Sequence, residues 1–572
     1  MTRSADAPIS PSTSVMSPER PWRRPGAARY AMARLRGLRR PQVTVYEAPR
    51  VVVDNDLPIP TRDGTVLRAN VYRPQGAGPW PVIVCAHPYG KDNLPARGRN
   101  GWRLPPQYRM MRQTSPVRIS QYTSWEAPDP AYWTDHGYVV VNADLRGSGT
   151  SEGVGTLLSA QEGRDVADII QWASEQPWST GSVGMIGVSY LAITQYSGAA
   201  ERPDALRCIV PWEGFTDPYR DLMRPGGVRE NGFLKLWTAL MTASETVNLE
   251  KAARIHPTRD DWWTSLVRDI SNIQVPVLLC TSFSDNNLHS RGTFRAFETV
   301  SSTDRFAWTH RSGKWSTFYS DEAKEAQLAF FDHFLADRAP RPDLPAVRLE
   351  VRDSRDTVTV VRREDAWPLA RTLWTPWYLD NGRLGDHPST HAGTARFDLR
   401  RQGLSFRRTL GRDLELTGAM ALRIWIELDG TTDADLYVGV EKWRNGRYVP
   451  FEGSYGFGRD RVTTGWQRVS MRELDEEKSR PGRPEHTFDR PQPMTTGEVV
   501  PVDVALGPSA TSFRSGDEIR LVIAGRWLWP SNPLTGQFPA HYARGPRGRA
   551  TLHWGPERPA ALTVPVIPSS EF

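Results

Sequence analysis

Cysteine is almost absent from this 572-residue chain, which has only Cys85, Cys208 and Cys280. Each lies in or beside an apolar, strand-like run. Their number and spacing exclude a disulfide framework and a cysteine-based zinc site, and predict buried thiols in a reducing compartment. Also missing is any apolar run of about 18–20 residues, so no membrane span is expected. Arginines interrupt every candidate signal core in residues 1–45, and the expected location is cytoplasmic. No internal repeat is found. Neither charge sign dominates: 72 Lys and Arg face 65 Asp and Glu, for a net charge of +7. Much of the excess sits at the N-terminus, so the chain carries no general nucleic-acid footprint.

What is present suits large cores. Hydrophobic residues make up 39% of the chain, and there are 22 Trp. Its length predicts two or three domains. Residues 1–42, rich in Pro, Ser, Thr, Ala and Arg, read as a disordered basic tail, although 27–40 has the spacing of a short basic amphipathic helix. From Val43 onward, apolar strand-like runs alternate with helical patterns: Val82–Ala86, Gly137–Ala143, Val183–Val188, Leu206–Pro211 and Val275–Thr281. Helices are expected at 161–176 and 322–335. This rhythm predicts an α/β fold with a parallel sheet covered on both faces. The stretch 92–130 is long, polar and rich in Gly, Pro and Arg, as functional loops are. Residues 214–273 turn helical and Trp-rich, as a cap inserted into the core would be. After Pro340, strand-like runs separated by turns describe an antiparallel β domain.

The stretch Val183-Gly-Met-Ile-Gly-Val-Ser189-Tyr-Leu-Ala-Ile-Thr-Gln-Tyr196 reads as a buried strand, a tight corner and a helix. Small residues at such a corner let a serine project its hydroxyl above the sheet, with the helix N-terminus behind it favouring an oxyanion. Leu191 stands where the simplest pattern has a second glycine. A serine becomes nucleophilic only beside a base that a carboxylate orients. Downstream, the strand ending at Thr281 runs into Ser282-Phe-Ser-Asp285, and Arg305–His310 delivers a histidine after the next strand. Ser189, Asp285 and His310 thus follow the order Ser, acid, His. His289 lies too close to Asp285 to come from that next strand, His333 falls inside a predicted helix, and His87 reads as a turn residue beneath the site. The oxyanion donors expected are the Tyr190 amide and the Tyr89 phenol. Trp212, Glu213, Phe215 and Asp217 stand at the cap entrance, where the acids could hold a substrate amine. Asp144-Leu-Arg146-Gly-x-Gly149-x-Ser151 lacks the Lys and Ser/Thr of a phosphate-binding P-loop and reads as a structural turn beside the elbow.

Taken together, His87-Pro-Tyr89, Asp144-x-Arg146-Gly-x-Gly149-x-Ser151-x-Gly153, Gly187-Val-Ser189-Tyr190-Leu, Ser284-Asp285 and His310 resemble the cocaine esterase/X-prolyl dipeptidyl aminopeptidase group of serine hydrolases. The resemblance runs from about residue 45 to the C-terminus. It implies an α/β-hydrolase core (43–213 and 274–340), a helical cap (214–273) and a C-terminal jelly-roll β domain (341–572). It also implies Ser189 as nucleophile, His310 as base, Asp285 as orienting acid, and Tyr89 with the Tyr190 amide as oxyanion hole. The chain departs from the group at Ala192, in the length of 92–130, and in Trp-Thr-His310. The expected activity is metal-free and cofactor-free hydrolysis of a small ester or amide through an acyl-enzyme. The rivals are an X-prolyl dipeptidyl aminopeptidase, a catalytically silent binding protein, and a carbohydrate-binding β domain. A homo-oligomer is left open.

Overall fold

The computed structural model describes residues 27–39, 42–110, 115–241, 245–401, 403–530, 532 and 534–568. At its centre is a mixed sheet in the spatial order Val52–Pro60, Val66–Arg73, Val139–Asp144, Trp80–His87, Ser179–Val188, Leu206–Trp212, Val277–Ser282 and Arg305–His310. The first two pairings are antiparallel, and every later one is parallel. All six residues of Val139–Asp144 and of Val277–Ser282 are buried. Continuous apolar runs are what a parallel sheet covered on both faces demands.

The helices Ala160–Ser174 and Tyr190–Ala200 pack against each other on one face of this sheet. Asp321–Phe334 buries Phe330 and Phe331 in the cluster that also holds Val188, Val210 and Leu278. Between Trp212 and Val277 the chain forms short helices, Phe233–Leu240, Leu249–Ile255 and Asp261–Ser265. Asn248 and Asp260 cap the last two by accepting bonds from the amides of Lys251 and Trp263, which satisfies donors that a helix start leaves open.

The C-terminal part is antiparallel β structure. Its longest strands, Leu414–Asp429 and Val499–Phe513, pair from Leu414↔Phe513 to Glu427↔Val499 around a separate apolar core. It is tied directly to the hydrolase sheet, because Val347–Ser354 pairs in parallel with Arg305–His310. Arg311 reinforces the junction. Fully buried, it donates to the Glu452 carbonyl and the Ser509 hydroxyl, and lies 4.4 Å over the Phe451 ring.

Two expectations change here. Residues 27–39 form a helix rather than a solvated tail. Its Tyr30 is 7% exposed and meets Phe457 of the β domain edge-on at 5.4 Å, so burial of one aromatic face outweighs solvation of the arginines. Residues 1–26 lie outside the described residues. The 92–130 stretch contains a small hairpin (Ala96–Gly98 with Gly101–Arg103), a helical turn, and the strand Val117–Ser120, which pairs with Val43–Tyr46.

The 144–153 turn is a structural brace. Asp144 accepts from the amides of Lys91 (2.6 Å) and Thr150 (3.3 Å), and Arg146 forms two bonds to Asp165 at 2.8 and 2.7 Å. Gly149 has φ +53°, and a Cβ there would fall 2.0 Å from an Asp144 carboxylate oxygen. Gly149→Ala should therefore cost about 1–3 kcal/mol through backbone strain alone and lower the melting temperature by differential scanning calorimetry. An unchanged melt would show that the turn does not brace the sheet.

Candidate active site

Every parallel strand of the sheet ends at the same edge, where loops of α/β proteins gather their functional groups. His87, Ser189, Glu213 and His310 are delivered there by four different strands. Ser189 follows the strand Ser179–Val188 and precedes the helix Tyr190–Ala200, with φ 61° and ψ −113°. This conformation is held on both sides. The Ser189 amide donates to the Trp212 carbonyl at 3.0 Å, and the Ser189 carbonyl accepts from Ala192 and Ile193. Gly187 supplies the space for the corner, since a Cβ there would sit 2.4 Å from Leu191 Cβ. Leu191, the departure from the Gly-x-Ser-x-Gly pattern, thus packs into the room left by the first glycine.

The Ser189 hydroxyl lies 2.9 Å from Nε2 of His289. This is the histidine that sequence spacing set aside. It reaches the serine without coming from the next strand: the loop after Val277–Ser282 turns at Asp285, whose carbonyl accepts from the amides of Leu288, His289 and Ser290. That turn puts His289 at the head of the helix Ser290–Thr299. The available signal was Asp285-x-x-x-His289, four residues apart at a strand end. His289 is 1% exposed, and its ring stacks on Phe215 at 5.8 Å. Burial, and then the charge of Lys314, hold its pKa well below the usual histidine range, so the ring is the neutral form a base requires. Its Nδ1 has no hydrogen-bond partner among the described residues.

His310 is engaged elsewhere. Its Nε2 lies 2.9 Å from Glu213 Oε1, and its Nδ1 faces the Ser312 amide at 3.1 Å. Asp285 pairs with Lys314 Nζ at 2.7 Å rather than with either histidine. The expected Ser189–His310–Asp285 relay is therefore not the hydrogen-bonded arrangement in the structure. Glu213 ends the strand Leu206–Trp212 with φ 55° and is wholly buried, and its second oxygen lies 3.9 Å from Lys314. Cys280 Sγ lies within 4.8 Å of Glu213 and His310. Burial pushes its pKa well up, which keeps it a thiol rather than the thiolate a metal prefers.

Lys314 is the cation that balances this region. Burial pulls its pKa down, but Asp285, Glu213 and Glu126 outweigh that and raise it. Glu126, from the 92–130 stretch, accepts from Trp315 Nε1 at 3.2 Å, and burial raises its pKa to about 8. It is another residue that sequence spacing did not single out.

Tyr89 receives a bond from Trp237 Nε1 at 3.1 Å and is also hydrogen-bonded with the Glu126 carboxyl; burial, and then Glu126, raise its pKa well above the usual phenol value. It lines both small cavities at Ser189, of about 40 and 20 Å³. Tyr190 sends its phenol to Glu162 at 2.6 Å, away from the serine. Its amide is at the first helical position, where N–H groups have no intrahelical acceptor. Phe215 borders the smaller cavity. Trp212 is buried behind the site, stacked on His310 at 6.4 Å. Asp217 accepts from the amides of Tyr219 and Arg220 and pairs with Arg220 and Arg259, so it is not a free anchor for an amine. His87 is buried beneath, bonded to Ser124 and to the Tyr89 amide. Phe233 and Trp237 of the helix Phe233–Leu240 line both cavities, and Tyr455 of the β domain lines the larger, with Phe233 and Tyr455 stacked at 5.4 Å.

Comparison with known proteins agrees with this architecture. A family model described as X-Pro dipeptidyl-peptidase (S15 family) matches residues 63–254, and one described as X-Pro dipeptidyl-peptidase C-terminal non-catalytic domain matches 342–563. Cocaine esterase from Rhodococcus sp. is 27% identical over 402 residues, 60% of this chain and 64% of that protein. The chain thus spans slightly less than two thirds of that relative's length. An α-amino acid ester hydrolase shares the fold, with a TM-score of 0.67 at 18% identity, over 91% of this chain and 97% of that one. A crystal structure of a CocE/NonD family hydrolase from Staphylococcus aureus superposes with a TM-score of 0.86 at 33% identity, covering 91% of this chain and 94% of that one. The chain belongs to the CocE/NonD family of serine hydrolases.

Proposed function

We propose that this enzyme hydrolyses small acyl esters through a Ser189 acyl-enzyme, with His289 as the base that takes the serine proton. The observation that carries the reading is the 2.9 Å Ser189 Oγ–His289 Nε2 contact at a strained strand–helix corner. Ser189 attacks the carbonyl as His289 takes its proton. The histidine then protonates the leaving alkoxide and later activates water for deacylation. The developing oxyanion is met by the Tyr190 amide and the Tyr89 phenol, and such donors are each worth roughly 3 kcal/mol in related chemistry. Asp285 pairs with Lys314, which also lies near the Glu213–His310 pair, so that these residues form a charged cluster in the same region. The domain division is read as a hydrolase core at 43–213 and 274–340, a cap at 214–273 and a jelly roll from 341, whose Tyr455 closes the pocket.

An aminopeptidase reading needs a carboxylate that can hold a free amine near Ser189. Glu213 and Asp217 are both engaged with other side chains, and Glu126, which does line the Ser189 cavity, is kept neutral by burial up to about pH 8, which favours the ester reading.

A fluorophosphonate probe and a panel of 4-nitrophenyl esters and Ala-Pro or Gly-Pro anilides test the assignment. Ser189→Ala should abolish labelling. His289→Ala should lower kcat about 10⁴-fold or more, as loss of a base does in triad enzymes, and His310→Gln less than 10²-fold. The opposite order for the two histidines would return the base role to His310, and preference for the anilides would favour the peptidase. An unlabelled, folded wild type would leave a silent hydrolase fold.

Glu126 gives a pH prediction. Its neutral carboxyl shares the cavity with Ser189, and ionisation above pH about 8 would put negative charge beside the forming oxyanion. kcat/KM should fall as pH rises through about 8, and Glu126→Gln should move that fall to higher pH. An identical profile in the variant would contradict the placement.

A further inference from the structure

A further cavity, with mostly apolar walls, lies away from Ser189. It has a volume of about 380 Å³ and lies between the hydrolase part and the β domain. It shares no wall residue with either cavity at the serine. This volume is in the usual range for a small-molecule site.

One wall is a finger of the β domain. Residues 473–487 double back, with bridges Leu474↔His486 and Arg480↔Arg483. Its tip is seated on an indole: Gly482 has φ +72°, and a Cβ there would fall 2.0 Å from the Trp374 ring. Its sides are pinned to the hydrolase part, Arg483 to Glu298 at 2.5 Å and Glu485 to Arg220 at 2.9 Å. The finger therefore forms one wall of the cavity and is tied to the hydrolase part.

The chamber's chemistry is specific. Trp367, Trp374 and Trp466 are among its lining residues. Five arginines line it against two glutamates. Three of those arginines are matched by carboxylates: Arg220 by Glu485, Arg295 by Asp221 and Arg483 by Glu298. Arg291 and Arg480 have no carboxylate within salt-bridge distance among the described residues. Arg291 donates only to the Thr464 and Ala505 carbonyls and lies 5.1 Å over the Trp466 ring. Arg480 donates only to the Glu477 and Ser479 carbonyls. Desolvation lowers the pKa of Arg291, consistent with a cation short of a counter-charge. Indole faces recognise flat rings, and a guanidinium fork recognises a carboxylate.

We propose that this chamber is a second binding site, separate from the catalytic pocket, for a small aromatic carboxylate whose ring lies among the three tryptophans and whose anion meets Arg291 and Arg480.

Isothermal titration of the full chain with 1-naphthoate, and with 1-naphthylmethanol as its neutral counterpart, tests this. Wild type should bind one naphthoate saturably, and the alcohol at least tenfold more weakly. Arg480→Glu, at an exposed position on the finger, should weaken naphthoate at least tenfold, and so should Trp374→Ala. Trp237→Ala, which alters only the catalytic cavity, should leave the affinity within twofold. No saturable heat, equal binding of the alcohol, or naphthoate binding unchanged by Arg480→Glu would overturn the proposal. Loss of binding in Trp237→Ala would overturn it too, by putting the probe at Ser189.

Discussion

A serine held at φ 61° and ψ −113° occupies a backbone region that costs a residue with a side chain about 1–3 kcal/mol. The surrounding structure must over-determine that conformation, and here it does so from three directions. The neighbouring strand takes the Ser189 amide through the Trp212 carbonyl, the helix takes its carbonyl, and Glu126 takes the Val188 amide at 3.1 Å. Gly187 is indispensable because Leu191 fills the space a side chain would need. Because the corner is fixed at the centre of a parallel sheet, its hydroxyl has one direction to point, and the loops at that sheet edge can be organised around it.

The second constraint is charge. Glu213 and Asp285 are buried near the serine with Lys314 as the cation between them, beside a Glu126 carboxyl that burial keeps neutral up to about pH 8. Removing one member of a buried ionic cluster leaves the others uncompensated, which is far costlier than losing an exposed pair. Lys314 also lines the cavity and presses on His289, helping to hold that ring neutral. The same arrangement therefore stabilises the loops and sets the protonation state that nucleophilic catalysis needs.

Much of this was legible in the residues. Continuous apolar runs identify the parallel strands, because burial on both faces leaves no room for alternation, and Val183–Tyr196 marks the corner. The Trp-rich stretch after Gly214 and the change of pattern after Pro340 also correspond to differences in local structure. The partner of the serine was not legible. Chain order favours His310 because it ends a strand, whereas His289 reaches Ser189 only through a turn whose carbonyl contacts no spacing rule encodes. Likewise Glu126 lies in a stretch that reads as polar loop, and its importance comes from its burial against Trp315, 189 residues away in sequence. The helix Ala27–Arg39 looked solvated because its aromatic partner, Phe457, is more than 400 residues away.

The central claim is that His289, not His310, serves Ser189. A crystal structure of the fluorophosphonate adduct tests it most directly. The account predicts phosphorus bonded to Ser189 Oγ, His289 Nε2 within hydrogen-bonding distance of that oxygen, and the phosphonyl oxygen facing the Tyr190 amide and the Tyr89 phenol. His310 turned away from Glu213 and bonded to the adduct, with His289 displaced, would contradict it.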